Sequence, residues 1–151
     1  MVAVSLKKNF FQAEDGIRDI GHGLGIPAEP LFRSALVEPL SVAWHAVAAS
    51  PLLEIGAKNA SVLVLGGGPI GLAVVQVLVA HGTKKIIMSE IAAQRQAFAR
   101  EFGAHHVLAP NVYDVVGISR ELCHGEGPDI VFDCAGVPLK IGRASCRERV
   151  C

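Results

Sequence analysis

Apolar and polar positions fall into blocks along the chain, and the blocks come in two lengths. Short runs rich in valine, leucine and isoleucine lie at Ser61–Leu65, Lys85–Ser89, His106–Leu108 and Asp129–Asp133. Glycine or polar residues bound them, which suits strands buried on both faces of a parallel sheet. Longer blocks lie between these runs, at Pro69–Ala80, Ala92–Phe102 and from about Tyr113 to Cys123. Their length is helical, and Gly82 and Gly103 stand just past the first two, where glycine commonly ends a helix. A further helix is predicted over Ala35–Ser50, where Glu38 and Pro39 supply an acid and a proline suited to a first turn. Pro51, Gly56 and Asn59 then read as a connection. Strand and helix alternating at this spacing predict an incomplete doubly wound α/β sheet, about four parallel strands with helices on both faces.

The turn after the first strand carries the candidate chemistry. Gly66-Gly67-Gly68-Pro69-Ile70-Gly71 contains G-x-G-x-x-G at Gly66, Gly68 and Gly71. In a Rossmann-type turn the first glycine permits the tight bend and the second lets a pyrophosphate approach the backbone. The third lets the helix pack on the sheet. The helix opening at Pro69 and Ile70 offers unpaired N–H groups and a positive dipole end to the phosphates. Glycines also punctuate ordinary turns, so the motif alone is weak. Its context is stronger: a strand precedes it, a helix follows, and Glu90 ends the next strand 19 residues beyond Gly71. An acid there is placed to bind the adenosine ribose and opposes a 2′-phosphate, which favours NAD over NADP. The other reading of Glu90 is a solvated strand end. Arg95 reads equally as a residue over the adenine or paired with the cofactor, and as an exposed helix arginine. At the end of the fourth strand, the small residues Ala135 and Gly136 would let backbone reach the nicotinamide side. Cys134 reads as a small buried residue rather than a reactive thiol.

Composition changes this picture little; the ends of the chain change it more. Lys+Arg and Asp+Glu are equal at 14 each, so nothing points to nucleic acid or an anionic membrane. No apolar run is long enough to span a bilayer, and no signal peptide is recognised. Gln12–Asp19 reads as the translation of a common sequencing-library adapter, and Gly23–Ser34 as its remainder in a shifted frame. Ile141–Val150 reads as the opposite adapter. Residues 1–34 and 141–151 are therefore expected to be adapter-derived and outside the fold, with the genuine segment at 35–140. That segment keeps Cys123 and Cys134, without paired metal-ligand spacing or a disulfide framework, so a reducing, cytoplasmic setting is expected.

Four stretches together resemble a known family: Ala35–Val47 with its Glu38-Pro39-Leu40, then Gly66–Gly71, then Ser89-Glu90 with Arg95, then Asp133–Gly136. In that order they resemble the zinc-dependent medium-chain alcohol/polyol dehydrogenases, nearest the butanediol and sorbitol dehydrogenase branch. The resemblance implies hydride transfer between a secondary alcohol, diol or polyol and NAD. Zinc would act as Lewis acid on the substrate oxygen, and the intact enzyme would be a homo-oligomer. It places Glu38 at or beside the zinc; from the residues alone Glu38 is a helix-start acid. The family's cysteine and histidine zinc ligands and the second half of its dinucleotide fold have no counterpart here. The chain is thus expected to be an inactive fragment. None of the histidines shows ligand spacing. Two rivals are a zinc-free NADPH-dependent reductase of the same superfamily and a methyltransferase with an adenosyl cofactor. Glu90 and Glu38-Pro39-Leu40 argue against the first, and Pro69-Ile70 opening a tightly packed helix against the second. A third is a non-catalytic binding module.

Overall fold

The computed structural model describes residues 34–135 and 149–150. From Glu38 onward these form one compact unit. Its elements are α1 (Val37–Ala48), α2 (Leu52–Ile55), β1 (Ser61–Leu65), α3 (Pro69–Ala80) and β2 (Lys85–Ser89), followed by α4 (Ala93–Glu101), β3 (His106–Leu108), α5 (Val115–Leu122), β4 (Ile130–Asp133) and β5 (Arg149–Val150). The sheet runs β3-β2-β1-β4-β5, and every pairing is parallel. The chain therefore moves outward from β1 through β2 to β3, then crosses back to place β4 on the other side of β1. That reversal is the feature of doubly wound sheets that opens a ligand crevice beyond the carboxyl ends of the strands.

The short apolar runs form strands because both faces of the sheet are covered. Leu63, Ile87 and Val131 lie side by side in register and pack with Cys123, Val115 and Leu122 of the α5 region. Val62, Val64, Ile86, Met88, Ile130 and Phe132 point to the opposite face and are equally buried. Helix α3 buries Leu72, Val74, Val75, Val77 and Leu78, so it is apolar nearly all round, as a helix pressed into a core must be. Gln76 of α3 donates through Nε2 to the Phe102 carbonyl at 2.9 Å, tying α3 to the end of α4. At the amino ends of β1 and β4, the Asp129 carboxylate accepts from the Ser61 N–H at 2.8 Å and its hydroxyl at 2.6 Å.

Three expectations change. The connection after Pro51 contains a one-turn helix, α2, formed where Leu52 is buried completely. The sheet has a fifth strand: Arg149–Val150, inside the segment expected to lie outside the fold, pairs with Val131 and Phe132. The outer edge of β4 is thus paired rather than open, and Ile130, Val131 and Phe132 are buried rather than exposed. An edge of unpaired N–H and C=O groups accepts any backbone within reach, whatever its side chains. Thirdly, Ser34, the last residue of the other adapter-like stretch, is helical and exposed. The rest of that stretch, residues 1–33, lies outside the described residues, as do 136–148.

Candidate dinucleotide site

The carboxyl ends of β1, β2 and β4 converge on the glycine turn. Gly66 donates its N–H to Ser89 O at 2.8 Å and Cys134 donates to Leu65 O at 2.8 Å, which locks the turn between its two neighbours. Gly66 has φ +92°, and a Cβ on it would stand 2.9 Å from Ala135 Cα. Both facts require glycine, and they show what Ala135 does here: it closes against the turn. Gly71 is glycine for a different reason. A Cβ there would collide with the Gly66 carbonyl oxygen as α3 descends onto the turn.

Gly68 has neither constraint. Its backbone is extended (φ −73°, ψ −178°), a conformation open to any residue, and a Cβ on it would meet nothing within 4 Å. Nothing in the fold demands glycine at this position, and the missing side chain leaves the backbone open to an approaching group. Gly68 also caps α3 without a side-chain hydrogen bond, with Pro69 at the first helical position. The first-turn N–H groups, including those of Ile70 and Gly71, have no acceptor within the helix. A bare backbone and unpaired donors at a helix amino end fit a pyrophosphate.

Glu90 turns inward. Its side chain is 5% exposed. Oε2 accepts from the Gly67 N–H at 2.6 Å, and Oε1 accepts from the Ala92 N–H at 2.8 Å. The guanidinium of Arg95, itself 53% exposed, lies 3.2 Å from Oε1. Burial by itself would raise the Glu90 carboxyl. The N–H groups of Ala92 and Gly67, the Arg95 charge and the Ile91 N–H outweigh it, and the carboxyl titrates below its ordinary value. The Glu90 backbone is held as well, donating to Leu108 O at 3.0 Å and accepting from Gln96 Nε2 at 2.8 Å. Glu90 is therefore no solvated strand end. Between the readings of Arg95, the structure pairs it with Glu90 while leaving it largely in solvent.

Two of these contacts escape the motif. Gly67 is a free position in G-x-G-x-x-G, yet a Cβ there would press on Glu90 Cγ and Oε2 at 3.1 Å and on Met88 Sδ at 3.2 Å. The sequence carried a signal for it, a third consecutive glycine that the motif does not need. Gln96 carried none. Burial, and then the Asp133 carboxylate beside it, push the Cys134 thiol up to about 11. At neutral pH it is a packed thiol, not a nucleophile. Gly136 lies outside the described residues.

Glu38 stands exposed in the first turn of α1. Among the described residues no three histidine, cysteine or acidic side chains come together to hold a metal. The described residues fit a dinucleotide and do not by themselves fit a zinc centre.

Residues 69–145 match the zinc-binding dehydrogenases. The chain belongs to that family. The match continues past β4 to residue 145, into the segment read as adapter. Among curated zinc-binding dehydrogenase relatives, (R,R)-butanediol dehydrogenase of Neisseria gonorrhoeae is 44% identical over 110 residues, 72% of this chain and 29% of that protein. The solved 2R,3R-butanediol dehydrogenase of Bacillus subtilis superposes with a TM-score of 0.61 at 40% identity, covering 70% of this chain and 29% of that one. A crystal structure from Sinorhizobium meliloti bound to NADP superposes with a TM-score of 0.60 at 35% identity, covering 68% and 30%. This chain thus spans about a third or less of the length of the relatives it matches. Among the described residues no helix is long and apolar enough to cross a membrane.

Proposed function

We propose that this chain is the dinucleotide-holding part of an oxidoreductase that moves hydride between a secondary alcohol or diol and a nicotinamide dinucleotide. The observation that carries the reading is Gly68, a glycine with open space above it, in a turn otherwise fully constrained by its own neighbours. Phosphates would sit on Gly68 and the first turn of α3, and the adenosine ribose against Glu90, with NAD the favoured form. Ala135 and Gly136 would border the nicotinamide side. Butanediol dehydrogenases among the relatives support a vicinal diol or the matching hydroxyketone as substrate. Zinc, when bound in the whole enzyme, supplies a Lewis acid for the substrate oxygen. Glu38 is this chain's candidate carboxylate beside that metal, and the intact enzyme is a cytoplasmic homo-oligomer in this reading.

Calorimetric titration of the chain tests the nucleotide reading. ADP-ribose and NAD should bind at the same site and compete with one another. S-adenosylmethionine, which lacks a pyrophosphate, should not displace them. Binding of S-adenosylmethionine without any dinucleotide binding would return the methyltransferase rival.

A further inference from the structure

Helix α1 carries more apolar surface than its own core uses. It buries Ala43 and Val47, while Leu40 is 37% exposed and Trp44 56%. Helical spacing sorts its outer side chains into two rows. Leu40 and Trp44, four residues apart, share a row beside the buried face. Glu38 and His45, seven residues apart and both exposed, share another. Ser41 and Ala48, small and exposed, lie between the rows. Trp44 is held in place: its ring lies over His81 at the end of α3, with centroids 5.3 Å apart. Among the described residues neither Glu38 nor His45 has an ion-pair partner.

We propose that this face of α1 is a self-association surface, on which a second copy of the chain docks antiparallel about a two-fold axis. Such a contact sets one residue of the first copy against another of the second, and the reverse. Both rows satisfy this at once, because the midpoint of Leu40 and Trp44 nearly coincides with that of Glu38 and His45. A single axis therefore brings Leu40 against the partner's Trp44 twice, and the Glu38 carboxylate beside the partner's His45 imidazole twice. Charge complementarity thus selects a second copy running in the opposite direction, which also sets the two helix dipoles antiparallel. Ser41 and Ala48 between the rows let the axes approach to the roughly 8–10 Å of packed helices. The indole, already fixed by His81, loses little freedom on docking. The pairing belongs to this chain as it stands and does not rest on the nucleotide reading.

Sedimentation equilibrium on the full chain tests the pairing, with circular dichroism to confirm that each variant folds. Wild type should dimerise with a Kd of about 1–100 µM, as a contact of modest area allows. Leu40→Ser and Trp44→Ser should each raise that Kd by about tenfold or more. Glu38→His and His45→Glu should each raise it by about threefold or more. Together they should bring it back to within about twofold of wild type, since the exchange forms both pairs again. A wild-type chain still monomeric at about 200 µM overturns the proposal. So does a dimer indifferent to Leu40→Ser and Trp44→Ser, or a double exchange no better than the single ones. A dimer lost only on removing residues 141–151 overturns it too, and moves the contact to the sheet edge.

Discussion

Gly68 and Gly71 stand three residues apart in one turn, yet replacing them should damage different properties. Gly68→Ala adds a methyl to open space on a permitted backbone, so thermal stability should hold or rise, by up to about 1 kcal/mol. Dinucleotide affinity should fall by at least about tenfold, because the methyl occupies the approach to the backbone. Gly71→Ala drives a methyl into the Gly66 carbonyl and should cost stability, about 1–3 kcal/mol, before binding is considered. Melting curves and titrations on the two variants separate these effects; parallel losses in both would remove the argument built on Gly68. Glu90 makes a prediction in pH. Its folded carboxyl titrates below the ordinary value of 4.5, so its contribution to stability is present above that value and disappears as pH falls through the lower, folded one. Glu90→Gln should cost about 1–3 kcal/mol at pH 7, since one backbone donor then faces an amide N–H. The gap to wild type in denaturant unfolding should narrow below about pH 4.5; a gap constant from pH 7 to 3 would mean that the charge is not what holds the turn.

Elements were legible in the sequence to the extent that their signals were local. Ser61–Leu65, Pro69–Ala80 and Lys85–Ser89 appear in the structure with the bounds their apolar runs predict, because burial on both sides leaves no polar interruption. The glycine turn and the acid beside it were readable for the same reason: glycine spacing and an acid at the next strand end are short-range facts. Helix α2 was not readable, since one turn without a side-chain cap exists only because Leu52 has a core to enter. The inward turn of Glu90 was hidden too, because it depends on a contact with Gly67, 23 residues earlier. Helix α5 offers a test of packing at this scale. Ser119 is buried in it and its hydroxyl has no hydrogen-bond partner among the described residues. Ser119→Ala should therefore be neutral or stabilising by up to about 1 kcal/mol. Ile87→Ala, which empties the centre of the sheet face packed with the α5 region, should cost about 2–5 kcal/mol. Chemical denaturation of both variants checks the contrast, and a costly Ser119→Ala would reveal a partner for that hydroxyl.

For the whole molecule, the cradle is assembled within one unit while no metal-holding cluster is formed by the described residues. The chain is accordingly expected to bind dinucleotide equally well with zinc added and with zinc chelated away. Calorimetric titration under the two conditions checks this, and binding that needs zinc would contradict it. The strand order has a kinetic consequence as well. Strands β1, β2 and β3 join neighbours in sequence, whereas the clasp between Ser61 and Asp129 closes a span of 68 residues. Contacts of such separation carry the larger loop-closure entropy and form late. The crevice between β1 and β4 should thus be the last part of the molecule to assemble, after the folding barrier has been crossed. A nucleotide seated there stabilises contacts absent at the barrier, so it should slow unfolding in proportion to its affinity and leave the refolding rate almost untouched.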